Sequence, residues 1–97
     1  MKEIKLFEKV GSFAEDKDIA KEIRIKEVMP ILDKEEITFD FLNVEAATQS
    51  FVHALISDLI RKKGIDILDK IYFKNCNDII KKIIGIVVEY MQDEDYK

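Results

Sequence analysis

Glu36-Ile37-Thr38-Phe39-Asp40-Phe41 alternates apolar and polar residues with period two. After a seven-residue interval the chain changes period, in Gln49-Ser50-Phe51-Val52-His53-Ala54-Leu55-Ile56-Ser57-Asp58-Leu59-Ile60-Arg61-Lys62-Lys63-Gly64. Successive side chains of a strand point to opposite faces, whereas helical neighbours recur every three to four residues. A strand with Ile37, Phe39 and Phe41 toward a core is therefore predicted, followed by a helix from Gln49 to Lys63. Polar Thr38 and Asp40 on the second face predict a sheet whose helices pack mainly on one side. Gly64 suits a helix C-cap, and Arg61, Lys62 and Lys63 complement the negative helix end.

The same alternation of elements extends outward in both directions. A first strand is expected over Lys2 to Phe7, and a turn at Gly11 and Ser12. A helix capped by Asp16 or Asp18 is expected to run to about Leu32, with Pro30 bending it or restarting it as a last turn. Its apolar pattern divides into two stripes, one of Ile19, Ala20 and Ile23 and one of Ile25, Val28, Met29 and Leu32. A third strand is read over Lys70 to Lys74, with Ile71 and Phe73 inward and Tyr72 outward. Asn75-Cys76-Asn77-Asp78 then opens a last helix ending near Gln92, with Asp93-Glu94-Asp95 read as a frayed tail. The apolar arc of that helix, from Ile79 to Met91, is wider than packing on one sheet requires. The whole chain, 1–97, is read as a single α/β domain: a two-layer βαβαβα sandwich on a small, mostly parallel or mixed sheet.

Composition narrows the function. A net charge of -4 in 97 residues argues against nucleic-acid binding, which needs a dense cationic surface. No apolar run has the length of a membrane span, and no hydrophobic signal region follows Met1-Lys2-Glu3-Ile4-Lys5, so a cytoplasmic location is expected. A single cysteine, Cys76, forms no internal disulfide and is read as an inert thiol. The glycines Gly11, Gly64 and Gly85 are too scattered for a phosphate loop. One histidine and one cysteine give no metal-ligand spacing, and neither a metal nor a cofactor is expected. Ser50 and His53 are helical neighbours, yet no nucleophile elbow and no group to orient His53 are evident. The chain is read as a non-enzymatic binding domain.

The run from Ile37 to Phe51 resembles the central signature of the STAS-like domain family, in which an apolar strand ending in Asp-Phe leads through a short loop to a serine followed by Phe at a helix start. Arg24 with Val28-Met29-Pro30-Ile31-Leu32 resembles the first helix of that family, and Lys70-Ile71-Tyr72-Phe73-Lys74-Asn75 its last strand. The family is similar to the STAS domains of bacterial anti-anti-sigma factors, regulators that bind kinase-like ATPases and carry a phosphorylatable serine at the helix start. Ser50 holds the matching position. Thr48 stands where that motif has an acid, and Phe51 where it has glycine.

The resemblance implies a regulatory protein-interaction module that meets a protein partner, such as a kinase-like ATPase, through Thr48, Gln49, Ser50, His53, Ser57 and Arg61. Two readings of Ser50 stand together, a phosphorylation switch and a plain helix cap. Two rival functions also stand. One is a nucleotide or metabolite sensor using the loop before the second helix with Asn75 and Asn77. The other is a subunit that dimerises through the last helix or the open sheet face.

Overall fold

The computed structural model describes residues 1–95. Three parallel strands, β1 (Lys2–Lys5), β3 (Ile37–Asp40) and β5 (Ile71–Lys74), lie in the order β1-β3-β5. Lys5, Asp40 and Lys74 share one register level, and Ile4, Phe39 and Phe73 the level before it. The helices α2 (Lys17–Ile23), α3 (Gln49–Lys63) and α4 (Asp78–Asp95) pack in sequence, α2 on α3 and α3 on α4. The result is the expected mixed α/β sandwich with small parallel sheets.

The core is built from Ile4, Ile37 and Phe39 of the sheet, Leu6 and Phe41 just beyond its strands, Phe51, Val52, Leu55, Ile56 and Leu59 of α3, and Ile80, Ile84, Val87 and Met91 of α4. Phe73 is half-buried and stacks on Phe39 with centroids 6.0 Å apart. Thr38 and Asp40 are buried although no helix is needed to hide them. They belong to the central strand, where Glu3, Lys5, Tyr72 and Lys74 stand on either side, and Lys74 reaches Glu3 at 3.3 Å.

Elements absent from the expected series complete the fold. The first strand stops at Lys5, and Phe7–Val10 forms a one-turn helix, α1. The turn region beyond it supplies β2 (Phe13–Ala14), which pairs in parallel with β4 (Ala46–Ala47). A 3-10 turn over Ile65–Lys70 delays the third strand to Ile71. α4 continues to Asp95, past the expected end at Gln92, so the expected tail is helical backbone.

The two stripes of the first helix have a physical explanation. Asp16 caps α2, accepting from Asp18 N at 2.9 Å and Ile19 N at 3.3 Å. The helix then widens into a π-turn over Arg24–Val28, and Met29 N bonds to Arg24 O at 2.9 Å. This five-residue bond inserts one residue into the helical count. Ile23 and Val28 would lie about 140° apart on a regular α-helix, yet both are buried, and Ile25 is turned to solvent. Leu32 follows in the turns beyond Val28, so the helix ends before Pro30 and is neither bent nor restarted as helix there. Gly64, at φ 87°, stops α3 after Lys63; positive φ is where glycine replaces other residues at least cost.

Candidate functional site

Thr48 is the N-cap of α3. Its extended backbone precedes the first turn, and its Oγ1 accepts from Phe51 N at 3.1 Å. The capping role once shared between readings of Ser50 therefore belongs to Thr48. Ser50 sits one residue into the helix, exposed, and its hydroxyl has no hydrogen-bond partner among the described residues. A group there stands at the positive end of the helix dipole without being needed to complete the helix.

Gln49, Ser50 and His53 form one wall of an open groove of about 520 Å³. Ile86, Val87 and Tyr90 of α4 form the opposite wall, and Lys17 of α2 also lines the groove. His53 is half-buried rather than free on the surface. Its Nδ1 lies 3.1 Å from Ser57 Oγ, and its ring meets that of Tyr90 with centroids 6.0 Å apart. The imidazole is thus held by Ser57, not by Ser50.

Ser57 is only 2% exposed, so it supports His53 from within instead of facing outward as expected. The reason is the packing of α2 across α3: the wheel position that looks solvent-facing on α3 alone lies beneath its neighbour.

A second cleft of about 350 Å³ adjoins the first and shares Lys17, His53 and Ala54 with it. Lys21, Arg24, Ser57, Asp58 and Arg61 also line it. Arg24 is nearly buried, donates to Ala54 O at 2.7 Å and pairs with Asp58 at 3.0 Å. Asp58 also meets Arg61 at 3.4 Å. Arg24 therefore clamps the π-turn to α3 and contributes charge to the cleft floor. Gln49, Ser50 and Arg61 of α3 are exposed, while His53 and the cap residue Thr48 are half-buried beside them.

The loops at the C-terminal ends of the strands are tied down by Asp40. Its Oδ1 accepts from Asn75 Nδ2 and from Leu42 N, each at 2.9 Å. The bond from Asn75, then that from Leu42, holds the Asp40 carboxyl below its usual range, with Lys74 and Lys5 reinforcing the effect against burial. Asn43 and Asn75 both adopt positive φ, 70° and 58°, a conformation that asparagine tolerates better than most residues.

Asn77 donates to Glu45 O at 2.8 Å and accepts from Ile80 N at 2.9 Å, capping α4. The amides of Asn75 and Asn77 are thus committed to fastening loops. Cys76 lies partly covered beside Lys74, and burial pushes its thiol above the ordinary range. Among the described residues no group of three potential ligands is placed to hold a metal ion, and no helix is long and apolar enough to cross a membrane.

Lys17, Ile86, Val87, Tyr90 and Arg24 were not anticipated at the site, because they arrive from other elements. Arg24 carried the one usable signal, a charged residue between the buried positions Ile23 and Val28.

Comparison with protein families matches residues 17–81 to the STAS-like domain of unknown function, DUF4325. The match runs from the start of α2 through the first turn of α4 and includes the Thr48 cap, Ser50, His53 and the Arg24 clamp. No curated protein and no solved structure matches the chain. With about two thirds of its length covered, the chain belongs to this STAS-like family.

Proposed function

We propose that this domain is a non-enzymatic regulatory module that docks a protein partner on the N-terminal half of α3, with Ser50 as a phosphorylation switch. The observation that carries this reading is the division of labour at the helix start. Thr48 satisfies the cap, leaving Ser50 exposed at the rim of a groove. Phosphate on Ser50 adds nearly two negative charges beside a favourable helix end and near Lys17. The fold tolerates that charge, while a partner seated across Gln49, Ser50, His53 and Arg61 meets a changed surface.

The resemblance to anti-anti-sigma regulators makes a kinase-like ATPase the partner class, and a bacterial cytoplasm the setting. The free Cys76 suits a reducing compartment.

A photo-crosslinking amino acid at position 49 tests this reading in the native host, with position 72 on the opposite sheet face as control. Crosslinking of a kinase-like ATPase at 49, reduced by Ser50→Asp, is the expected result. Crosslinks confined to 72, or equal at both positions, would sink the proposal. Mass spectrometry of the same sample reads the phosphorylation state of Ser50.

A further inference from the structure

The helix α4 carries two apolar seams. Ile80, Ile84, Val87 and Met91 are buried in the core. Ile79, Ile83, Ile86 and Tyr90 repeat the same four-three-four spacing one residue earlier. Ile83 is half-buried, but Ile79, Ile86 and Tyr90 are 57%, 37% and 57% exposed. This outer seam extends over about 16 Å of helix, and its spacing is that of a helix that packs against another helix.

The charges along its solvent flank indicate what packs there. Lys82 and Glu89 are exposed, stand seven residues apart on the same side of the seam, and have no partner among the described residues. They are too far apart to pair within one helix. When two copies of α4 lie antiparallel about a two-fold axis through the middle of the seam, Ile79 faces Tyr90 and Ile83 faces Ile86 across it. Lys82 of one protomer then lies beside Glu89 of the other, and symmetry repeats the pair. In parallel packing the two flanks fall on opposite sides of the seam, and Lys82 and Glu89 of the two copies do not meet.

We infer that a second copy of this chain covers the outer seam, through antiparallel pairing of the two α4 helices. The inference stands on α4 and does not require the switch at Ser50. Because Ile86 and Tyr90 also form one wall of the groove, self-association and docking in the groove compete for those two residues.

Sedimentation velocity of the whole chain over a wide concentration range tests the inference. A reversible monomer–dimer equilibrium is expected, and Ile79→Glu, at an exposed site, abolishes it without changing the circular dichroism spectrum. Lys82→Glu and Glu89→Lys should each weaken the dimer about tenfold by replacing attraction with repulsion at both symmetric contacts. The double variant regains wild-type association, and an equimolar mixture of the two single variants forms a heterodimer. A chain that stays monomeric throughout, or a dimer indifferent to these exchanges, would overturn the inference. The first outcome leaves the seam to a different partner, the second to a different surface.

Discussion

Removing the Asp40 carboxylate should loosen the loops beyond β3 and β5 together. Asp40 is 5% exposed, and one of its oxygens accepts from Leu42 N and Asn75 Nδ2 at 2.9 Å each. Hydrogen bonds to a charged group contribute roughly 1.5–3 kcal/mol apiece. Leu42 and Asn75 are themselves exposed, so water replaces part of the loss in Asp40→Ala. The net cost is about 2–4 kcal/mol, a large share of the roughly 5–15 kcal/mol that stabilises a domain of this size. Urea denaturation at neutral pH, with an unchanged slope, measures it.

Asp40→Asn keeps an acceptor oxygen for both donors and loses only the charge, so it should cost about 1 kcal/mol. The two variants also separate in their response to acid. A carboxyl held below its ordinary range binds a proton less readily in the folded chain than in the unfolded chain. Its contribution is present above the unfolded pKa, near 3.9, and fades as pH falls from there through the lower folded pKa. The gap between wild type and Asp40→Asn should therefore close in that window. Asp40→Ala within about 0.5 kcal/mol of wild type, or a gap that stays constant in acid, would refute the assignment of this carboxylate as the tie between the two loops.

Three further outcomes follow from the site. Thr48→Ala should cost about 1 kcal/mol as a lost N-cap, whereas Ser50→Ala should change thermal stability by less than about 0.5 kcal/mol; the reverse ranking would return the cap to Ser50. Arg24→Met removes the bond to Ala54 O and the pair with Asp58, at a cost of about 2–3 kcal/mol, while Asp58→Asn should cost less, about 1 kcal/mol, because the amide oxygen still accepts from the buried guanidinium and only the compensating charge is lost. Equal costs in chemical denaturation would contradict the one-sided burial. Alkylation of Cys76 near pH 8 should run slower than that of a free thiol, since burial raises its pKa, and a rate at or above the free-thiol value would count against that environment.

Strong periodicity made β3, α3, β5 and α4 readable from residues alone. Ile37, Phe39 and Phe41 alternate cleanly, and Val52, Leu55, Ile56 and Leu59 keep helical spacing through to Gly64. The pair Phe13–Ala14 and Ala46–Ala47 was not readable, because two residues carry no period and a strand that short is defined by its mate. The π-turn was legible only as noise, since Ile23 and Val28 break the α-helical count.

At the candidate site, Gln49, Ser50 and His53 were legible as neighbours because one helix carries all three. Ser57 was misplaced because α2 covers it, and Lys17 and Tyr90 were missed because only tertiary packing brings them to Ser50.

The widened turn at Arg24–Val28 amounts to one extra letter in the text of the first helix. Upstream of it Asp16 sets the phase, and downstream the buried face resumes one position late, at Val28. A family member that lacks this turn is then expected to be a residue shorter there. A gap placed at exposed Ile25 keeps Arg24, Val28 and everything beyond in correspondence, whereas an ungapped comparison reads the second half of the helix out of frame. Deleting Ile25 is the laboratory form of that edit, and it asks whether the surplus residue serves to aim Arg24 at α3.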